Sequence, residues 1–201
     1  MKRIVLETLH SPLRRVARNF GIVTVGQAIT TITGLAALTL NSRALGAEDL
    51  GKLLLIQAMC ELVTKVLAFQ NWQSYVKVGS ELEGRGSLLS LWRYGITLDI
   101  AAAILATLLA VFILTTLPKL VGLDEETANF GLVYAFCILF SATSTSLGAL
   151  RLFDSYLLAI YIAAGQSAAL LTNSAILFIM EAPVSAYLVT IPVITALFSS
   201  L

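Results

Sequence analysis

The chain has 201 residues, of which 58% are hydrophobic and 12% charged, with a mean hydropathy of +0.88. A soluble domain has about 45–50% apolar and about 25% charged residues, so this composition excludes an ordinary soluble fold and indicates an all-α, polytopic membrane protein. A net charge of +1 gives no footing for a nucleic-acid partner.

A membrane-spanning helix needs about 20 mostly apolar residues, because the hydrocarbon core is about 30 Å thick and an α-helix rises about 1.5 Å per residue. Residues 1–19 precede the first such tract. Their apolar positions are interrupted by SPLRRVARN, which does not fit a cleaved signal. The segment reads as a basic amphipathic helix on the cytoplasmic surface, with Ile4, Val5, Leu9, Leu13 and Val16 toward lipid. Six tracts follow, at about 20–41, 52–72, 94–117, 128–150, 156–180 and 184–201. The connections are short and carry charge and turn signals: NSRALGAEDLG, SELEGRGSLLSLWR, PKLVGLDEET, RLFDS and EAP. Consecutive tracts are therefore expected to be antiparallel.

With the N-terminus in the cytoplasm, Lys2, Arg3, Arg14, Arg15, Arg18, Lys77, Arg85, Arg93 and Arg151 lie inside, and Arg43, Lys52 and Lys119 outside. Lys and Arg in short loops favour the cytoplasmic side, which sets this orientation. The final FSSL still belongs to the sixth apolar tract, so the expectation is a piece of a longer protein.

Charges inside apolar tracts cost about 2.5–3.5 kcal/mol each on insertion scales and face bundle interiors or wet cavities. Glu61 and Lys65 are four residues apart within the second tract, with Glu on the N-terminal side, the orientation that favours an ion pair on one helix face. They read either as mutual neutralisation between helices or as the lining of a polar cavity. Asp99, in the third tract, is too short to snorkel and is a candidate for a cation or proton site. Gln27 and Gln166 add uncharged polarity, as does the SATSTS run, Ser141 to Ser146. Ser and Thr in such helices commonly bond back to the preceding turn. Gly26, Thr30 and Gly34 have small-xxx-small spacing, a packing signature. DEET, from Asp124 to Thr127, reads as an N-terminal cap of the fourth tract rather than a calcium site. Cys60 and Cys137 fall in apolar runs without metal-ligand or disulfide spacing, and His10 lies far from any acidic or cysteine-bearing motif. No nucleophile–base pair or phosphate-cradling glycine loop is present, so neither an enzyme nor a cofactor is expected.

NSRALGAEDLGKLLLIQ, FQNWQSYVKVGSELE and GALRLFDSYLLA, in that order among the tracts, resemble polysaccharide flippases of the O-antigen and lipopolysaccharide type. These belong to the multidrug/oligosaccharidyl-lipid/polysaccharide exporter superfamily, and the likeness runs over most of residues 14–180. The resemblance implies one lobe, the N-terminal one, of a two-lobed transporter of the bacterial inner membrane that works by alternating access. Its cargo would be a polyprenyl-pyrophosphate-linked oligosaccharide. Its partners would be membrane lipids, a C-terminal lobe or second copy, and other polysaccharide-assembly membrane proteins. By similarity in position Arg43 is the leading phosphate contact, although it also reads as an arginine snorkelling to outer headgroups. Lys65 follows, then Arg151 as a cytoplasmic-side candidate, which reads first as an i, i+3 pair with Asp154 that fixes the loop; Gln27 would meet sugar. Glu61 and Asp99 would serve ion coupling. A multidrug cation exporter of the same superfamily and a non-transporting membrane scaffold are the competing readings.

Overall fold

The computed structural model describes residues 2–67, 71–81, 85–116, 123–140, 144–153 and 155–199, with the side chains of 2–17, 71, 85, 86, 144 and 156 outside the description. Among these residues all regular structure is helical: α1 (Lys2–Leu67), α2 (Asn71–Glu81), α3 (Arg85–Thr116), α4 (Glu125–Cys137), a 3-10 turn (Ile138–Phe140), α5 (Ser144–Leu152), α6 (Tyr156–Ile179) and α7 (Val184–Ser199).

α1 is two helices joined at one residue. Gly46 adopts φ 72°, ψ −176°, a conformation open essentially to glycine alone. The arms on either side fold back on each other. Gly34 and Gln57, Ala37 and Leu54, Leu38 and Leu53, and Asn41 and Leu50 all line one cavity, each pair symmetric about the bond between Leu45 and Gly46. The polar stretch 42–51, expected as a loop, is thus helical up to the glycine and again after it. Glu48 and Asp49 open the second arm and bond Lys52 at 3.1 and 3.7 Å. Lys52 also reaches Asp124 at 3.5 Å, which ties the hairpin tip to the start of α4. Asp124 caps α4, accepting from the Thr127 backbone N–H at 3.0 Å and from its hydroxyl at 2.9 Å. Those bonds hold the Asp124 carboxyl below its ordinary pKa.

The fourth tract is not one helix. α4 ends at Cys137, tightens into the 3-10 turn, and α5 begins at Ser144. Between them residues 141–143, part of the Ser/Thr-rich run, lie outside the described residues. The second tract, expected to reach residue 72, has a described helix ending at Leu67, and the amphipathic α2 starts at Asn71. α3 starts nine residues earlier than the tract expected from 94, and its 32 residues span about 48 Å, more than the hydrocarbon thickness. α7 is short, at 16 residues, and holds the buried Pro192 in its interior, where proline removes a ladder hydrogen bond.

The core forms where the second arm meets α3, α4 and α7. Leu53, Ile56, Cys60 and Val63 make a buried stripe at helical spacing, packed against Ala106, Ala110 and Leu114 of α3 and Leu188 of α7. Small residues on α3 let the backbones approach, the usual device where lipid supplies no hydrophobic drive between helices. Gly26 of the first arm does the same against α6, where an added methyl would stand 2.7 Å from Ile160, whereas Gly34 has open space. Thr30, Thr31, Thr33 and Thr39 bond back to carbonyls of the preceding turn.

The outside is apolar. Phe20, Val25, Ile29, Ile32 and Leu35 on the first arm are exposed, as are Ile104, Leu105, Leu108 and Phe112 on α3. Soluble monomers rarely show patches of this extent. Four helical stretches are long and apolar enough to cross a bilayer, Arg18–Glu81, Ser87–Thr116, Glu125–Leu152 and Leu157–Ile179, with the shorter Val184–Ser199 beside them. The chain is a multi-pass α-helical membrane protein.

Gly46→Ala is expected to lower the melting temperature of the detergent-solubilised protein, since the strained backbone costs about 1–3 kcal/mol. Gly51→Ala, in open space within the second arm, is expected to leave it unchanged or raise it slightly. Equal melting temperatures for the two variants would show that the reversal does not depend on glycine.

Candidate functional site

Two small-residue contacts bring α2 against α5. A methyl on Gly79 would stand 2.8 Å from Leu152, and one on Gly148 would stand 3.1 Å from the Tyr75 ring and 3.3 Å from the Trp72 carbonyl oxygen. With the backbones this close, the guanidinium of Arg151 lies over the Trp72 ring, 3.8 Å from its centroid. Stacking engages the flat face of a guanidinium and leaves its in-plane N–H fork for an acceptor. Asp154, the expected i, i+3 partner of Arg151, lies outside the described residues.

Trp72 and Arg151 stand on a cavity of about 550 Å³, lined also by Gln27 and Thr30 of the first arm and by Ala159 and Ala163 of α6. Two expected substrate contacts, Arg151 and Gln27, therefore share one site although 124 positions separate them in the chain. Trp72 was not singled out from the sequence as a site residue. Its signal was present: a tryptophan opening an amphipathic segment directly after an apolar tract, where an indole has one wet and one apolar side.

Glu61 and Lys65 form the expected ion pair at 3.1 Å, and Gln57 donates to the other carboxylate oxygen at 3.3 Å. The pair lines a second cavity, of about 250 Å³, with Thr64, Tyr134, Cys137, Pro192 and Thr195. It does not sit in mid-helix. Lys65 occupies the last turn before Leu67, where a cation favours the negative end of the helix dipole. Its side chain is 77% exposed and that of Glu61 49%.

Asp99 is 5% exposed and accepts a 2.7 Å hydrogen bond from the backbone N–H of Thr145, in the first turn of α5. It lines none of the three cavities described. Arg43 is exposed near the hairpin tip and lines none of them either. The third cavity, also about 250 Å³, lies between the two arms, α6 and α7, with Asn41, Gln57, Ser167 and Ser174 on its wall. Among the described residues there is no cluster of three or more metal-ligating side chains.

No protein-family model matches the chain, and no solved structure matches it. It is similar to the inner membrane protein YghQ of Escherichia coli (strain K12), with 24% identity over 146 residues. That alignment takes in 71% of this chain and 41% of the relative, so the chain spans less than half the length of the curated protein it matches.

Removing Lys65 alone leaves Glu61 as an unpaired carboxylate at the edge of an apolar tract, and removing Glu61 alone leaves the ammonium. Membrane-inserted protein, quantified after carbonate extraction, is expected to fall several-fold for Lys65→Met and to recover in the Glu61→Gln/Lys65→Met double variant. A double variant that inserts no better than Lys65→Met would show that the pairing does not determine insertion.

Proposed function

We propose that the chain is the N-terminal six-crossing part of an inner-membrane flippase that carries polyprenyl-pyrophosphate-linked oligosaccharide from the cytoplasmic to the periplasmic face. The two arms of α1, then α3, α4 with α5, α6 and α7 supply the six crossings, with the remainder of the transporter contributed by a further lobe or a second copy. The resemblance in NSRALGAEDLGKLLLIQ and GALRLFDSYLLA supports this reading, and the inner-membrane relative supports its location.

The observation that carries it is Arg151 stacked on Trp72 at a 550 Å³ cavity that also holds Gln27. A pyrophosphate needs a fork of charge-assisted donors, and a stacked arginine offers one already oriented. Sugar hydroxyls need amides and hydroxyls, which Gln27 and Thr30 provide. A polyprenyl tail needs an apolar flank, and Val23, Leu150 and Ile160 of the same cavity give it one. Both α2, with Lys77, and α5, with Arg151, lie at this end, and Lys65 is in the last turn beside them. On the orientation set by the basic residues this is the cytoplasmic end, where the cargo is loaded. A cavity of this volume accommodates a headgroup of a few rings.

A multidrug exporter of cations would present a carboxylate to its cavity without a basic partner. Glu61 is bonded to Lys65 and Gln57, and Asp99 is occupied by Thr145, so this reading has less support.

In the full-length gene, Arg151→Ala is expected to reduce surface polysaccharide more than tenfold at unchanged protein level, and Arg151→Lys to reduce it less. Undiminished polymer in Arg151→Ala would remove the headgroup assignment.

A further inference from the structure

We infer that Asp99 is a positioning residue for Arg151: its carboxylate holds the first turn of α5 and so fixes where the guanidinium stands over Trp72. This rests on the headgroup reading of the Arg151 cavity, but the geometry is independent of what the cavity binds.

α5 is a nine-residue helix inside an apolar tract, and α4 ends ahead of it in the 3-10 turn Ile138–Phe140. The first N–H groups of any helix lack intrahelical partners, and in hydrocarbon no water replaces them. Its flanking Ser/Thr run offers hydroxyls, yet the Thr145 N–H goes to Asp99, 46 residues away on α3, at 2.7 Å. The acceptor is buried, stands near the middle of α3, and is ideally signed for the positive end of a helix. One turn before it, Gly95 lets α3 approach so closely that a methyl there would stand 2.6 Å from the Thr145 hydroxyl. That hydroxyl is itself buried without a partner among the described residues, so the backbone N–H is the polar link between Thr145 and α3.

A helix of nine residues has little cooperativity of its own and takes its axial position from its ends. Arg151 follows Thr145 by six residues, about 9 Å along the axis. The N-terminal end is held by Asp99, the middle by Gly148 against Tyr75, and the C-terminal end by the stack on Trp72. Releasing the first anchor lets α5 slide or fray, and a stack at 3.8 Å tolerates little displacement. Asp99 thus acts on the cavity through a helix rather than by entering it.

The chain has two tryptophans, Trp72 and Trp92, so Trp92→Phe leaves Trp72 as the sole emitter. In that background, and without any substrate, Arg151→Ala is expected to shift and brighten Trp72 emission by removing the stacked cation. Asp99→Ala is expected to shift it in the same direction by at least half as much. Asp99→Asn, whose amide oxygen still accepts from Thr145, is expected to shift it less than Asp99→Ala, and Thr145→Ala, which keeps the backbone N–H, to leave it at the parent value. Far-ultraviolet circular dichroism identifies variants that retain helix; where Asp99→Ala does not, the comparison of Asp99→Asn with Thr145→Ala decides. Parent-like emission in folded Asp99 variants beside a shifted Arg151→Ala would overturn the inference, as would Thr145→Ala shifting as far as Asp99→Ala, or Arg151→Ala itself leaving the emission unmoved. Because no cargo is present, a failed transport reading leaves this outcome intact, and a failed anchor leaves the transport test of Arg151 standing.

Discussion

Hydrocarbon gives an opened backbone nothing to bond to, so every interruption of a membrane helix must be answered from within the protein. Among the described residues three such places are answered in three ways. Gly46 needs only a conformation, and the chain reverses there at the hairpin tip. Pro192 is enclosed by the bundle, with α6 bonded across to α7 through Asn173 and Thr190 at 3.0 Å. The start of α5 needs an acceptor for a backbone N–H, and the Asp99 carboxyl provides it. Of these, the last has the greatest consequence, because it turns the second half of the fourth tract into a short separate helix that carries an arginine.

The polar groups of the bundle are arranged by that constraint. Lys52, Glu48, Asp49 and Asp124 form a network at the hairpin tip, a cap-and-pair arrangement that fixes α4 to the tip. At the other end of the second arm lie the Glu61–Lys65 pair and, on α2 and α5, Trp72 and Arg151. At the tip one ammonium, Lys52, is shared among three carboxylates. The opposite end combines an oriented guanidinium, an indole, the Gln27 amide and a cavity.

What was legible in the sequence followed from local pattern. Apolar runs of twenty residues located the helices, DEET announced a cap, and an i, i+4 acid and base announced an ion pair. What was not legible depended on contacts distant in the chain. ANFGLVYAFCILFSATSTSLGAL reads as one uninterrupted tract because it stays apolar or small throughout, and the group that accommodates its break lies on another helix. Asp99 therefore looked like an unengaged carboxylate. Arg151 and Trp72 are 79 positions apart, and their meeting depends on Gly79 and Gly148, whose role appears only once α2 and α5 are packed. The stretch after Asn41 looked like a loop because it is polar, yet a single glycine reverses the chain and lets both arms stay helical to the tip.

The central claim is that the Arg151 cavity is a wet chamber open to an anionic headgroup rather than a greasy crevice between helices. Its most direct test is cysteine accessibility. In a background with Cys60 and Cys137 replaced, Thr30→Cys and Ala163→Cys on the cavity wall and Ile32→Cys and Leu105→Cys on the lipid face are each exposed to a membrane-impermeant maleimide in inside-out vesicles. The account predicts labelling of the first two, slowed by added pyrophosphate, and none of the last two. Equal silence at all four positions would contradict it.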